Sequence, residues 1–240
     1  MPNIVKILRH GEREEHKKGS FGHDLQLTEK GRQEAFCLGQ SMRDQLSFDI
    51  HTSPILRCVQ TAEEILRGAG KGRIILSNVL GDPGPFVTDC TRAGPVFLEK
   101  SVEEIAQALV NQETLPGLSS LEKGANIFLS YISQVNHFPC LMISHDIIIC
   151  LLACFLSKSK DVKGYMPGFL EGFSIEVITK LPRAQICAFC AGFGFLASCL
   201  WPTGYVNLQE TKPAQKSSNL VSTDSFVITS ITKNNCMVSL

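Results

Sequence analysis

Hydrophobic and polar positions follow two different periods along the first 180 residues. Between the short apolar runs typical of strands, apolar residues recur at helical spacing, as do Ala35, Leu38, Met42 and Leu46. The predicted strands cover residues 3–8, 48–53, 72–77, 140–144 and 172–180. Strands that alternate with helices predict an α/β fold with a mostly parallel central sheet covered by helices on both faces.

Polar residues predict where the helices begin. Thr28 is typical of an N-cap before a helix over 32–46, and Ser101 with Glu104 forms a capping box. The same pattern in Ser119 and Glu122 predicts a further helix start. Two more helices are predicted over 57–67 and 146–156. Glycine and proline turn signals predict a loop over 81–95.

The end of the chain differs in composition. The apolar run 186–201 has 16 residues, whereas a membrane span needs about 20. We therefore interpret it as packing against the core or a partner. A small strand is predicted within "SFVITSI". We expect residues 1–180 to form the catalytic domain, and 181–240 to be a divergent segment of unassigned role packed on that domain.

Composition limits the classes of partner. The 240 residues suit one α/β domain, and 44% hydrophobic with 19% charged residues allows a sizeable core. Lys+Arg and Asp+Glu both number 23, which predicts no global attraction to nucleic acid or an anionic membrane. Cysteines within apolar runs and no signal-peptide pattern predict a cytoplasmic protein with reduced thiols. Cys187 and Cys190 lack a second ligand pair, so we predict no metal site there.

Candidate chemistry gathers at the ends of three predicted strands. Arg9 and His10 follow the first, Arg57 follows the second, and Ser144 and His145 end the fourth. Carboxyl ends of parallel strands share one sheet edge, where ligands bind. Arginine forks match phosphate oxygens, and neutral imidazole can attack phosphorus. Nearby positive charge lowers the pKa of His10 and keeps it neutral. The sequence therefore predicts phosphoryl transfer.

The motifs "LRHGE", "SPILRCVQTAE" and "SHD", with "HDLQLTEKGRQEA" and "MPGFLEGFSIEV" beside them, resemble the histidine phosphatase superfamily over residues 3–180. The resemblance implies a three-layer α/β/α, phosphoglycerate mutase-like fold. It implies that His10 becomes phosphorylated while Arg9, Arg57 and His145 hold the phosphoryl group. It also implies that neither a metal nor an organic cofactor is needed.

The proton donor and the substrate contacts are less determined. Asp82 is our candidate for the general acid, although it also suits a turn before Pro83. Asp89, Glu99 and Asp146 are fallbacks. Glu12 follows the nucleophile motif, and we expect it, with Ser144, to contact the substrate. The rest of "GEREEHKK" is interpreted as a solvated loop face.

The predicted function is metal-independent hydrolysis of a phosphate monoester through a phosphohistidine on His10, as in a histidine acid-type phosphatase. Family mutases carry an Asn after the nucleophile and a longer Tyr-Gly-x-Leu-x-Gly insertion, and this sequence has neither. A mutase-type phosphotransferase, a protein phosphatase acting on phosphohistidine or phosphotyrosine, and a non-catalytic phosphate-binding relative stay open. We expect a phosphorylated small-molecule substrate, no nucleic acid and no membrane span. A homo-oligomer is an open alternative.

Overall fold

The computed structural model describes residues 3–15, 22–43, 49–179, 207–208 and 226–234, with only the backbone described from residue 178 onward. The strands form one sheet in the order β3-β2-β4-β1-β5-β7-β6. Their bounds are β1 Asn3–Arg9, β2 Asp49–Thr52, β3 Arg73–Leu76, β4 Cys140–Ser144, β5 Gly172–Thr179, β6 Asn207–Leu208 and β7 Phe226–Asn234.

Four neighbouring strands of this sheet are parallel. β3 pairs with β2, β2 with β4, and β4 with β1, each in parallel register. β5 runs antiparallel beside β1, and β7 runs antiparallel beside β5. The prediction of a mostly parallel sheet covered by helices is confirmed for the part that carries the candidate chemistry, because β1, β2 and β4 all end at the same edge.

Helices follow the strands in the alternation that the sequence predicts. Their bounds are α1 Glu29–Ser41, α2 Leu56–Ala69, α3 Cys90–Glu99, α4 Val102–Val110, α5 Leu121–Ser133, α6 Asp146–Ser157 and α7 Val162–Tyr165. Thr28 caps α1 and Ser101 caps α4 in a capping box, both as predicted. Leu46 and the predicted start of the second strand at Phe48 lie outside the described residues.

Two clusters of buried side chains cover the two faces of the sheet. Strand residues such as Ile7 and Met142 pack with α4, α5 and α6, whereas Leu8 and Leu141 pack with α1 and α2. Successive strand residues point to opposite faces, so β1 and β4 contribute to both clusters. This double burial explains the continuous apolar run of "CLMIS", and it gives the three layers of the fold.

Two sequence predictions about helix positions are wrong. The loop predicted over 81–95 ends at Asp89, whose side chain accepts the N–H groups of Thr91 and Arg92 and starts α3. Pro95 lies inside that helix, so the Gly/Pro signals misplace the boundary. The cap of α5 is Ser120 rather than Ser119. The buried Ser119 hydroxyl instead donates to the carbonyl of Pro85.

Most of residues 181–240 lie outside the described part of the chain, including the apolar run 186–201, Cys187 and Cys190. The predicted strand in "SFVITSI" is confirmed as part of β7, which extends the sheet from β5. The division into a catalytic domain and a divergent segment stays a prediction. Among the described helices, none is both long enough and apolar enough to cross a bilayer.

Candidate active site

Backbone pairing places the three predicted strand ends side by side. Arg9, the last residue of β1, is in register with Ser144, the last residue of β4. The N–H of His10 donates to the carbonyl of Ser144 over 3.1 Å, and the N–H of Ser53 donates to the carbonyl of Ile143 over 3.1 Å. The sheet itself therefore brings the side chains that follow these strands to one location.

His10 is almost fully buried, with 2% of its surface exposed. Its Nδ1 lies 2.8 Å from the carbonyl oxygen of Gly11, which can only accept, so Nδ1 carries the hydrogen. Its Nε2 accepts a hydrogen bond of 3.0 Å from Nε of Arg57. The ring is thus held in the tautomer that leaves the lone pair on Nε2.

Arg57 lies in the first turn of α2 and connects the two histidines. Besides Nε2 of His10, its guanidinium donates through Nη1 to the carbonyl of Gly22 over 2.8 Å. Through Nη2 it donates to Nδ1 of His145 over 3.2 Å. The hydroxyl of Thr61 donates to the Arg57 carbonyl and accepts from the N–H of Gly11. This hydroxyl therefore ties the loop after His10 to the helix that carries Arg57.

His145 is the N-cap residue of α6, so it directly follows β4. Because Arg57 can only donate, Nδ1 of His145 accepts, and the hydrogen of the neutral ring lies on Nε2. Nε2 is 3.0 Å from Oγ of Ser53, to which it donates. The ring centroids of His10 and His145 are 5.6 Å apart. The two imidazoles are close neighbours in opposite tautomers.

Both histidines are neutral at pH 7. Burial lowers the pKa of His145 to about 3, and the charges of Arg57 and Arg9 add to this effect. Burial is also the main cause that lowers the pKa of His10 well below its usual value, followed by His145 and Arg57. A neutral imidazole is the form that can attack phosphorus.

Arg9 enters the site beneath an aromatic ring. Its guanidinium carbon lies 4.4 Å from the centroid of the Phe169 ring. Its Nη1 donates to the carbonyl of Pro167 over 2.9 Å, and its Nη2 pairs with the Asp146 carboxylate at 2.8 Å. The carboxylate of Asp146 also accepts the N–H of Ile147. Asp146 is therefore engaged in holding Arg9 and the start of α6.

These side chains line a cavity of about 420 Å³. Five of the seven predicted site residues line it together: Arg9, His10, Arg57, Asp82 and His145. Asp82 follows the short 3₁₀ helix Asn78–Leu80 and has a positive φ of 64°. The N–H groups of Gly81 and Gly84 on either side both donate to the carbonyl of Asn78, which fixes this turn at the rim.

The other two predicted site residues make contacts outside this lining. The carboxylate of Glu12 accepts from Thr28 over 3.0 Å and pairs with Lys30 at 2.7 Å, at the start of α1. The buried hydroxyl of Ser144 donates to the carbonyl of Leu80 over 2.7 Å, just before the Asp82 turn. Both side chains bond to other groups of the protein. Direct substrate contact by Glu12 and Ser144 stays a prediction.

Two basic residues of the cavity were not predicted as site residues from the sequence. Arg13 and His23 line the same cavity. Burial is the main cause that lowers the pKa of Arg13, followed by the charge of Arg9. The interpretation of "GEREEHKK" as a solvated face is therefore wrong at Arg13, whereas residues 16–18 lie outside the described residues. The sequence does contain a signal for Arg13, since this residue closely follows the nucleophile motif. A loop that leaves the sheet edge there passes over the site.

The fold and the cavity together define a class of protein. A parallel sheet edge presents two guanidinium groups and two neutral imidazoles to a cavity of a size that holds small ligands. Within the described part of the chain, no group of three or more His, Cys, Asp or Glu side chains is placed to hold a metal ion. Such an arrangement suits binding and transfer of a phosphoryl group.

Sequence comparisons agree with this class. The profile of the histidine phosphatase superfamily (branch 1) matches residues 5–80. A 2,3-bisphosphoglycerate-dependent phosphoglycerate mutase of Parvibaculum lavamentivorans is 38% identical over 78 residues, which are 31% of this chain and 37% of that protein. The 6-phosphofructo-2-kinase/fructose-2,6-bisphosphatase 1 of Rattus norvegicus is 36% identical over 179 residues, which are 69% of this chain and 35% of that protein. The chain thus spans about a third of the length of these relatives.

Solved structures share the fold. A mycobacterial glucosyl-3-phosphoglycerate phosphatase superposes with a TM-score of 0.52 at 15% identity, covering 73% of this chain and 90% of that one. A phosphoserine phosphatase of Entamoeba histolytica, solved with 3-phosphoglyceric acid, gives 0.52 at 20% identity, covering 72% and 89%. The chain belongs to the histidine phosphatase superfamily, and the relatives matched by sequence include a mutase and a bisphosphatase.

Proposed function

We propose that this protein is a metal-independent phosphatase that hydrolyses phosphate monoesters through a phosphohistidine formed on Nε2 of His10. One observation carries the proposal. A buried, neutral imidazole holds its lone pair on Nε2, next to the guanidinium of Arg57 and the imidazole of His145. These groups bring a nucleophile and fixed donors to one point in a cavity.

In the first step, Nε2 of His10 forms a bond to phosphorus while the bond between phosphorus and the ester oxygen breaks. The guanidinium groups of Arg9 and Arg57 donate to the phosphoryl oxygens, whose charge they stabilise. The Nε2–H of His145 exchanges its bond to Ser53 for a bond to one of these oxygens. Arg57 exchanges its bond to His10 for a bond to the substrate. The alcohol oxygen leaves with the bonding electrons and takes a proton from Asp82.

In the second step, water attacks the phosphohistidine. The Asp82 carboxylate accepts the proton of that water, and the N–P bond breaks with its electrons returning to Nε2. Among the candidate acids, Asp82 and Asp146 line the cavity, whereas Asp89 and Glu99 do not. Asp146 is paired with Arg9, and Asp89 caps α3. Both of these alternatives are already engaged by other groups of the protein, which favours Asp82.

The test is phosphate release from p-nitrophenyl phosphate in the presence of chelator, combined with trapping of the phosphoenzyme. We expect turnover in chelator and an acid-labile, base-stable phosphoenzyme on His10. His10→Gln should abolish both. The control is His137→Gln, which changes an exposed histidine outside the cavity and should leave both intact. Full activity of His10→Gln would refute the proposal.

The products distinguish hydrolysis from the mutase alternative. A phosphatase releases inorganic phosphate in a stoichiometric amount, whereas a mutase returns the phosphoryl group to another position of the substrate. The similarity to a phosphoglycerate mutase makes 3-phosphoglycerate the appropriate substrate for this comparison. Interconversion of phosphoglycerates with little free phosphate would favour the mutase. A protein that binds vanadate but releases no phosphate from any ester would be a non-catalytic relative.

A further inference from the structure

The cavity extends beyond the cationic residues into a second, apolar part. Side chains from α3, α4, α6 and two connecting loops meet there. We call this surface the apolar wall and define it by Phe86, Phe97, Val102, Leu109, Leu118 and Ile148. Phe97, Val102 and Leu118 are only partly buried, whereas Phe86, Leu109 and Ile148 are buried behind them. The wall therefore presents apolar surface to whatever occupies the cavity.

Backbone hydrogen bonds hold this wall in place. Val87 and Leu118 form an antiparallel bridge between the two loops. The N–H groups of Thr88 and Asp89 both donate to the carbonyl of Gly117, over 2.8 and 3.1 Å. The N–H of Ser119 donates to the carbonyl of Phe86 over 3.0 Å. A ligand group that fits against a preformed wall does not have to order it first.

Helices α3 and α4 contribute no charged or amide side chain to the cavity. Their lining residues are Cys90, Ala93, Gly94, Phe97, Val102, Ile105 and Leu109. The nearby carboxylate of Glu104 accepts from the N–H and hydroxyl of Ser101 in the capping box of α4. A hydroxyl-rich group placed against this wall would lose hydrogen bonds to water without replacement, whereas an apolar group gains from burial.

We propose that the cavity selects phosphate monoesters of apolar alcohols, with the phosphoryl group held by Arg9, Arg57 and His145 and an aromatic or alkyl leaving group packed on the apolar wall. This inference rests on the proposed phosphatase function, and it names the substrate class of the same site. A volume of about 420 Å³ accommodates both parts, since pockets of about 300–1,000 Å³ bury small organic ligands.

The experiment compares kcat/KM for 2-phenylethyl phosphate, glycerol 3-phosphate and 3-phosphoglycerate in chelator. All three esters have alkyl leaving groups, so leaving-group chemistry gives the phenylethyl ester no advantage. We expect kcat/KM for 2-phenylethyl phosphate to exceed that for glycerol 3-phosphate by about tenfold or more, the discrimination that apolar pockets reach. Equal values would overturn the inference. A preference for 3-phosphoglycerate would also overturn it, because Arg13 and His23 would then select a second anionic group.

Matched variants test whether the wall causes the preference. Phe97→Ser removes a wall side chain, and Val102→Thr adds a hydroxyl while keeping the side-chain shape. Both should lower the ratio of the two kcat/KM values. Leu98→Ser changes the next residue of α3, which is 47% exposed and does not line the cavity, and should leave the ratio unchanged. A correctly folded Val102→Thr variant that keeps the full ratio would overturn the inference.

Binding separates failure of this inference from failure of the proposed function. The probes are 2-phenylethylphosphonate and 2,3-dihydroxypropylphosphonate, which no phosphatase hydrolyses, measured by calorimetry on the full chain. If no ester is hydrolysed but the phenylethyl compound binds about tenfold more tightly, the phosphatase proposal fails and the apolar selectivity stands. If esters are hydrolysed but neither binding nor kcat/KM discriminates, the selectivity fails alone.

Discussion

Replacement of Gly81 by alanine tests whether the position of His145 controls activity. Gly81 precedes Asp82 and has φ +145°. A Cβ there would lie 2.4 Å from Cδ2 and 2.5 Å from Nε2 of His145, and 2.8 Å from Oγ of Ser53. Ordinary van der Waals contact begins at 3.4 Å. The His145 ring must therefore move by about 1 Å, which at an active site lowers the rate by about a hundredfold.

The ring cannot move this far at low cost. Its Nδ1 accepts from Arg57 over 3.2 Å, and its Nε2 donates to Ser53 over 3.0 Å, so the shift lengthens both hydrogen bonds. The positive φ adds about 1–3 kcal/mol of strain for alanine. We therefore expect Gly81→Ala to fold with a lowered Tm, and to lose about a hundredfold in kcat/KM toward p-nitrophenyl phosphate.

Gly70→Ala is the matched control. Gly70 ends α2 with φ +76°, and a Cβ there meets no atom within 4 Å. This variant carries the strain of a positive φ without a clash, so its Tm should fall while kcat/KM stays that of the wild type. Thermal unfolding by circular dichroism and steady-state kinetics in chelator measure both quantities. The reasoning is refuted if Gly81→Ala keeps wild-type kcat/KM and loses only stability.

Three further predictions follow from the same contacts. Asp82→Asn should fold, because asparagine tolerates a positive φ. It should lower kcat for an alkyl phosphate by about 10²–10⁴-fold. The kcat for p-nitrophenyl phosphate should fall much less, and equal losses of kcat would argue against an acid role. The free energy of unfolding, measured in urea, should fall as the pH drops from 6.5 toward 3. In this range His145 becomes protonated in the unfolded chain but stays neutral in the folded protein. The slope is up to about 1 kcal/mol per pH unit, and His145→Gln should reduce it. Gly39→Ala should destabilise the protein by about 2 kcal/mol, because a Cβ there would meet the carbonyl oxygen of Ile65 where α1 packs on α2. An unfolding midpoint in urea equal to that of the wild type would contradict this prediction.

The sequence alone is sufficient to predict the sheet edge that carries the candidate site. "CLMIS" is a continuous apolar run and "NIVKIL" is a short β-type run, so both are predicted as strands, and His145 and Arg9 follow them directly. Parallel neighbours end at the same edge, which brings these residues together whatever the connecting loops do. For this reason five predicted residues line one cavity although they are up to 136 positions apart.

The apolar wall could not be predicted in the same way. Phe86, Phe97 and Leu118 come from two loops and a helix, and their meeting depends on how those segments pack. Each residue alone has the pattern of ordinary core. The helix that carries Phe97 was itself missed, because the cap at Asp89 prevails over the turn signals of Gly94 and Pro95. Arg13 was missed because a charged loop is usually solvated, whereas its burial depends on the cavity.

Different partners hold the two histidines of the cavity in opposite tautomers. His10 has its hydrogen on Nδ1, bound to the Gly11 carbonyl, so its Nε2 has a lone pair. His145 has Nδ1 covered by Arg57 and a hydrogen on Nε2. In the proposed mechanism this Nε2–H exchanges the Ser53 hydroxyl for a phosphoryl oxygen. Arg57 donates to both rings, and its charge helps to keep both neutral. The Gly11 carbonyl fixes the tautomer of His10 and Arg57 fixes that of His145, so the two rings present different nitrogens, which neither burial nor proximity alone would achieve.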